Sequence, residues 1–547
     1  MPPRAITTAN QKGADWDTHL RGFRWRVPKR FNIAEVCCDA WARAEPARVA
    51  IRHVGQDGSV TGWSYGALRS ASNRLANALA ARGVRRGDRV ALVLPQGPEV
   101  MIAHFAAYKL GAIVLPMVTL FGPDALAYRL GDSGASALVC DPVSLGRVQG
   151  LAADLPALRE IYVTGTGTGP GPDGVRGFWA EIDAAQENIT AAPTGPDDPA
   201  CLIYTSGTTG PPKGALHAHR YLLGHLPSVE LHHELLPQPG DVGWTPADWA
   251  WIGGLMDLAL PCLYHGVPLI SHRFARFDPD AAFRLIRDMG IRNIFLPPTA
   301  LKLMRQTAVP QGPDLRSIGS GGESLGADLF DWGMTALGAP INELYGQTEC
   351  NLVVSSCHGA GCHKPGAMGR AVPGHQVAII GPDGAPLAPG ETGEIAVRAP
   401  DPVMFLGYWN QPEKTRAKYR GDWLCTGDLG TCDDAGYFTY VARDDDIITS
   451  AGYRIGPTEI ENCLIGDADV VMAAAVGLPD PVRTEIVTAV VVLREGALRD
   501  GAAERLIARV REKVSPHAAP RRVEFASTLP MTPTGKIMRR ALREAYR

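Results

Sequence analysis

The 547-residue chain is short of several things that would fix its class at once. It has no excess of one charge: 54 Lys and Arg stand against 57 Asp and Glu, a formal net charge of −3, which argues against a wholesale nucleic-acid binder. A basic cluster of Arg21, Arg24, Arg26, Lys29 and Arg30 reads as a solvated face. It has no cysteine framework, because the eleven cysteines are scattered, odd in number and irregularly spaced, as suits a reducing compartment. Cys357, Cys362 and His363 lack a second pair at zinc-ligand spacing, so metal binding there is disfavoured. It has no long apolar run: the most apolar stretch, Arg89 to Met117, is broken by Pro95, Gly97, Pro98, Glu99, His104 and Lys109 and is no membrane span. Met1-Pro2-Pro3-Arg4 onward carries no apolar signal core, and no internal repeat is visible. The expectation is a soluble, cytoplasmic chain of more than one domain, since single cores stop growing at roughly 250 to 300 residues.

What the sequence does have is a hydroxyl- and glycine-rich loop closed by one lysine: Tyr204-Thr205-Ser206-Gly207-Thr208-Thr209-Gly210-Pro211-Pro212-Lys213-Gly214. Glycines let backbone N–H groups turn toward an anion, hydroxyls add donors, and Lys213 adds positive charge. The strand-like run Ala200 to Tyr204 leads into it, so the expectation is a polyphosphate-binding loop rather than a surface linker. Gly214 follows Lys213 where a Walker A loop needs Ser or Thr, which disfavours an ordinary P-loop NTPase.

The surrounding pattern alternates short apolar runs with helical stretches. Val90 to Leu94, Ile113 to Pro116, Ala137 to Cys140, Val267 to Ile270 and Ile294 to Pro297 read as strands, and Glu99 to Leu110 as a helix. That alternation predicts βαβ units and a largely parallel sheet. Thr164 to Gly174 reads as a surface loop. Three consecutive aspartates interrupt apolar sequence near Arg443 to Thr449. Beyond them, Val470 to Val476, Ile486 to Val492 and a helical stretch from Ala502 to Val514 predict a small α+β domain of roughly 100 residues.

The loop resembles the phosphate-binding signature of the adenylate-forming superfamily of acyl-CoA synthetases, luciferases and peptide-synthetase adenylation domains. The family's other signatures follow in order: Gly321-Gly322-Glu323, Tyr345-Gly346-Gln347-Thr348-Glu349, Gly421-Asp422-Trp423 to Thr426-Gly427-Asp428, Arg443-Asp444-Asp445-Asp446 to Gly452-Tyr453-Arg454, and Pro533-Thr534-Gly535-Lys536. The run Phe31-Asn32-Ile33-Ala34 and the overall length look most like the medium-chain acyl-CoA synthetases. The resemblance implies an α/β fold with a large N-terminal AMP- and acyl-binding domain of sheets flanked by helices, residues 1–444. A small mobile α+β lid, residues 445–547, would follow a hinge at Asp445.

The chemistry so implied is carboxylate activation with ATP, Mg²⁺ and coenzyme A, giving acyl-CoA, AMP and pyrophosphate through an acyl-adenylate. By resemblance Thr205, Ser206, Gly207, Thr208, Thr209, Gly210 and Lys213 hold the β- and γ-phosphates. Thr348 meets the α-phosphate and Glu349 coordinates magnesium. Gly321, Gly322 and Glu323 pack on adenine, with Tyr345, Gly346 and Gln347 in the neighbouring motif. Asp428 takes both ribose hydroxyls, and Arg443 pairs with ribose and phosphate oxygens. Lys536 swings in to bridge substrate carboxylate and α-phosphate. After pyrophosphate leaves, the small domain rotates, Gly452 leaves room beside the CoA thiol arm, and Arg454 contacts phosphate.

In acetate-activating relatives a tryptophan stands where this chain has Gly346 and closes the acyl pocket, so a bulkier acid is expected here; Trp251 resembles a tryptophan lining the pocket of medium-chain enzymes. The expected partners are a small carboxylic acid, ATP and CoA, with no nucleic acid and no membrane span, and either a monomer or a homodimer. Transfer to a carrier-protein thiol or other acceptor, and a luciferase-like oxidation, are the alternatives. A non-catalytic relative is disfavoured because Lys536, Glu349, Asp428 and Arg443 are all present.

Overall fold

A computed structural model describes residues 13–165, 174–205, 211–310, 312, 314–322, 325, 327–443, 446–450, 453–481, 483–532 and 537–547. Strand Arg89–Val93, helix Pro98–Leu110 and strand Ile113–Pro116 form a βαβ unit whose strands pair in parallel, Arg89 beside Ile113. The helix opens on Pro98, where a missing N–H costs nothing, and stops at Gly111 with φ of 66°. It is buried on nearly every face, which explains why its sequence carries no amphipathic stripe.

This unit belongs to an eight-stranded sheet. The strand entering the phosphate loop, Pro199–Thr205, lies beside Ile113–Pro116 in parallel, and the strand leaving it, Lys213–Ala218, returns antiparallel. The short strand Gly407–Tyr408 completes that edge by pairing with Lys213–Ala218.

A second sheet of fourteen strands is parallel from Val49–Val54 through Leu269–Ser271, Gly243–Trp244, Asn293–Phe295 and Ser317–Gly321 to Ile341–Gln347. From Cys350–Ser355 onward it is antiparallel. The largely parallel sheet expected from the alternation therefore covers only part of the molecule. The physical reason is the connection: Thr348 and Glu349 make a tight turn, and a tight turn joins only antiparallel neighbours, whereas a parallel pair needs a long crossover. The strand expected at 267–270 begins later, at Leu269, because Pro268 has no N–H for the ladder, and the one expected at 294–297 ends at Phe295, before the helix that opens on Pro298.

A third, five-stranded sheet is built from Ile448–Ser450, Tyr453–Ile455, Val470–Asp480, Thr484–Leu493 and Arg522–Phe525. Helices Pro457–Ile465 and Ala502–Lys513 cover it, and Ile448, Ile460, Leu464, Val487, Leu506 and Val510 form its own core. Residues 166–173 of the expected surface loop lie outside the described residues.

One charged group sits deep in the largest hydrophobic core. Lys109, 1% exposed, pairs with Asp39 at 2.8 Å and donates to Ser72 Oγ at 2.8 Å and Asn73 Oδ1 at 2.6 Å. The ammonium thus has one anionic partner and two hydrogen-bond acceptors, the condition under which a buried charge is tolerated. Lys109→Met should cost about 3–5 kcal/mol of folding free energy because it strands the Asp39 carboxylate. Adding Asp39→Leu should recover much of that loss. Urea denaturation checks both; an equal loss in the single and double variants would mean that packing, not charge, sets the cost.

Candidate active site

The parallel strands Ser317–Gly321 and Ile341–Gln347 end side by side, and open α/β sheets place ligand crevices outside such carboxyl ends. Gly321 is opposite Leu344, so close that an added Cβ would stand 2.3 Å from Leu344 Cδ1 and 2.5 Å from Leu344 O. Only glycine fits this approach, and the next residue, Gly322, is exposed with φ of 95°.

The phosphate-loop strands are tied at both ends to helix Pro123–Ser133. Tyr204 OH donates to Asp132 Oδ2 before the loop, and Tyr128 OH donates to Pro212 O at 3.0 Å after it. Thr205 Oγ1 reaches Lys213 O at 3.4 Å across the base. A Cβ on Gly214 would meet Leu202 Cδ1 at 2.9 Å, Tyr204 Cζ at 3.2 Å and Trp409 Cβ at 3.3 Å. A Ser or Thr after this lysine would press on Leu202, Tyr204 and Trp409.

Lys213 is half-buried, and its ammonium lies 4.8 Å from the centroid of the Tyr408 ring. Desolvation lowers its pKa from the ordinary lysine value; the Glu349 carboxylate opposes that shift, while Lys418, Lys414 and Arg443 add to it. Glu349, 7% exposed, accepts a hydrogen bond from Tyr408 OH on Oε1. Thr348 and Glu349 occupy the turn after Ile341–Gln347, so one turn fixes both.

Asp428 is held from three sides. Tyr345 OH donates to Oδ2 at 2.8 Å, Arg443 Nε approaches Oδ1 at 3.6 Å from the paired position on the neighbouring strand, and the Asp428 N–H donates to Thr426 Oγ1 at 3.1 Å. Gly427, with φ of 81°, donates its N–H to Glu394 Oε1 at 2.8 Å. Gln347 Nε2 and Lys418 Nζ both reach Thr426 O, at 2.9 and 3.2 Å. Tyr345, Gln347, Asp428 and Arg443 are therefore one connected cluster, and Lys213 and Glu349 are joined through Tyr408.

Trp251 is half-buried and meets Phe121 edge-on at 6.2 Å. Gly346 is more constrained than its sequence context suggests: a Cβ there would stand 2.4 Å from Leu352 N and 2.6 Å from Asn351 Cα. A tryptophan at 346 could not be added without moving the Cys350–Ser355 strand, so that exchange perturbs folding as well as pocket size. Cys357 and Cys362 are buried register partners, and His363 stacks on Phe330 at 3.5 Å.

Ser206, Gly207, Thr208, Thr209, Gly210, Glu323, Asp445, Gly452 and Lys536 lie outside the described residues, as does the side chain of Arg454. Tyr128, Asp132, Glu394, Tyr408 and Lys418 were not singled out by sequence reasoning. Tyr408 and Trp409, an aromatic pair after Gly407, carried a weak signal; the others carried none.

This cluster at strand ends, followed by a small C-terminal sheet with its own core, is the arrangement of an adenylate-forming enzyme, and likeness to known proteins shows that class. The chain belongs to the AMP-binding enzyme family: the family model matches residues 38–409, and the AMP-binding enzyme C-terminal domain matches 459–536. It is 34% identical over 533 residues to mouse acyl-coenzyme A synthetase ACSM4, mitochondrial, covering 95% of this chain and 91% of that one. Among solved structures, the anthranilate CoA ligase AuaEII in complex with anthranoyl-AMP superimposes with a TM-score of 0.86 at 28% identity, covering 95% of this chain and 98% of that one. A benzoate CoA ligase from Burkholderia xenovorans LB400 gives 0.82 at 28% identity, covering 94% and 100%. Among the described residues no helix is long and apolar enough to cross a membrane.

Behind Gly346, Asn351 Nδ2 donates to Asp257 Oδ1 at 2.6 Å and lies 3.2 Å from His225 Nε2. Asp257 is 2% exposed, and burial holds its carboxyl well above the ordinary aspartate value of 3.8, against the lowering effect of Asn351. The folded chain thus keeps this proton over a pH span in which the unfolded chain has released it. Its contribution to stability is complete in acid below 3.8 and is lost as pH rises through the folded value. Asp257→Asn, which cannot ionise, should gain stability relative to the parent chain as pH rises from about 5 to about 8. Denaturation midpoints at several pH values test this; a gap that stays constant would show that Asp257 is already ionised in the fold at the lower pH.

Proposed function

We propose that the chain activates a medium-chain, branched short-chain or cyclic carboxylic acid in preference to acetate, using the residues gathered around Glu349 and Asp428. The reaction is AMP-forming acid–CoA ligation. A substrate carboxylate oxygen attacks the α-phosphorus of ATP, the bond to the β-phosphate oxygen breaks, and pyrophosphate leaves. The CoA thiol, giving up its proton, then attacks the acyl carbon, and AMP departs with the electrons of the acyl–oxygen bond. The observation that carries this reading is the joining of residues from separate sequence motifs: Lys213 and Glu349 through Tyr408, Asp428 and the Tyr345 motif through one hydrogen bond.

The central difficulty is bringing two anions together, and preorganised charge is the remedy. Lys213, with the hydroxyls of Thr205, Ser206, Thr208 and Thr209 and the loop N–H groups, takes the β- and γ-phosphates. Thr348 takes the α-phosphate. Asp428, already oriented by Tyr345 and Arg443, takes the ribose hydroxyls, and the segment Gly321, Gly322 and Glu323, exposed at Gly322, is assigned to adenine. Glu349 is a buried hard oxygen donor with Oε1 occupied by Tyr408, a setting that fits Mg²⁺. Magnesium, when bound, neutralises phosphate charge. Lys536 is assigned the bridge between substrate carboxylate and α-phosphate, and Gly452 and Arg454 the CoA side.

The domain division at 444/445 is supported by where neighbouring charges pair. Arg443 pairs with Asp428 of the large sheet, whereas Asp446 pairs with Arg539 at 3.2 Å and Arg543 at 2.7 Å beyond the small sheet. A hinge at Asp445 falls between the two. Trp251 and Phe121 supply an aromatic wall for the acyl group. A cytoplasmic site of action suits the eleven cysteines, all free, and cell fractionation with a tagged chain checks it.

The defining experiment is formation of AMP and acyl-CoA from Mg-ATP, with and without CoA, across acetate, butyrate, isobutyrate, hexanoate, octanoate, benzoate and cyclohexanecarboxylate. A CoA-dependent thioester from one of the larger acids, with acetate poor, is expected. Pyrophosphate release without thioester would move the assignment to another acceptor. Lys536→Ala should abolish adenylation while leaving thioester formation from supplied acyl-adenylate within a few-fold of the parent; equal loss of both half-reactions would remove the role given to Lys536.

A further inference from the structure

We propose that Tyr408 is a positioning residue that sets Glu349 and Lys213 in one arrangement, its hydroxyl aiming the carboxylate and its ring seating the ammonium. The inference rests on the reading of Glu349 as the magnesium ligand and Lys213 as a phosphate ligand.

Tyr408 is 6% exposed and is fixed by its main chain as well as its ring. Its N–H donates to Thr415 Oγ1 at 2.8 Å, and it pairs in register with Ala215, two residues beyond Lys213. Just upstream, Phe405 N–H donates to Glu349 O at 2.9 Å and Leu406 N–H donates to Leu216 O at 2.6 Å. Phe405 also packs against the Tyr408 ring, centroids 5.0 Å apart at 73°. The segment 405–408 is therefore stitched by backbone to both the Glu349 turn and the strand that leaves the phosphate loop. Side chains close the circuit: Tyr408 OH donates to Glu349 Oε1, and Lys213 Nζ stands 4.8 Å from the ring centroid.

Two consequences follow from the chemistry of the donors. A phenol can give one hydrogen bond, and spending it on Oε1 fixes the carboxylate rotation so that Oε2 is presented. A ring beneath an ammonium attracts it without neutralising it, so Lys213 is placed while its charge stays available to an anion. A glutamate anchored by a direct arginine or lysine ion pair would have its charge matched at contact; a phenol hydrogen bond leaves the carboxylate anionic for a metal.

The test separates hydroxyl from ring by measuring ATP binding calorimetrically, in EDTA and across a Mg²⁺ titration, so that no turnover is needed. Tyr408→Phe keeps the ring and loses the hydroxyl. Its ATP affinity in EDTA should stay within about two-fold of the parent, while the Mg²⁺ concentration for half-maximal enhancement rises about ten-fold, as expected for a hydrogen bond to a charged group. Tyr408→Leu loses both, and its affinity in EDTA should fall by about three-fold or more. Each variant is read below its own thermal midpoint, and if the Leu variant does not fold the Phe variant decides the matter. An unchanged Mg²⁺ titration in Tyr408→Phe, or an equal loss with and without metal, would overturn the proposal. If the parent chain shows no Mg²⁺ enhancement of ATP binding, the reading of Glu349 itself fails, which is a different result.

Discussion

The Glu349 carboxylate is buried, and a buried charge survives only if its surroundings replace the water it has lost. Much of the site can be read as the answer to that demand. Tyr408 gives Glu349 a hydrogen bond, Lys213 gives it a nearby positive charge, and both come from segments whose positions the Glu349 turn helps to fix. Displace the turn and the antiparallel strand Cys350–Ser355, the Gly407–Tyr408 edge and the seat of Lys213 shift together. A hydrophobic residue at 349 would spare the desolvation cost and lose the reason for this arrangement.

A second organising feature is how closely main chain approaches main chain. Gly321 and Gly346 each face main chain that leaves no room for a Cβ. These are close-packed seams, and Glu349 sits in the turn that closes the one at Gly346. Interiors packed at crystal density transmit small displacements, so a methyl group at a seam moves residues that it does not touch. This is why a glycine that looks like a gap in the sequence is a constraint in three dimensions.

Legibility from sequence followed the range of the interaction. Strands Ile113–Pro116 and Ala137–Cys140 were read to the residue because local apolar runs bounded by turn residues declare themselves. The antiparallel half of the second sheet was not, since Thr348 and Glu349 were noticed for their chemistry and not as the turn they form. Motif residues Tyr345, Gln347, Asp428 and Arg443, far apart in sequence, come together in one cluster. Their supports were invisible: Asp132 meets Tyr204 across 72 residues and Tyr408 meets Glu349 across 59, separations over which periodicity carries no information. The crowding behind Gly346 was equally invisible, because a missing side chain in sequence says nothing about the backbone packed against it.

The paired phenolic anchors on helix Pro123–Ser133 bear on the thermodynamics of capture. Tyr204 pins one end of the phosphate loop and Tyr128 the other, so the distance between the ends is fixed by the fold. In polymer terms the ring is closed before any anion arrives, and the entropy of bringing its ends together has been charged to folding. Whatever the residues between them bind, the two ends need no further assembly, since their separation is already set.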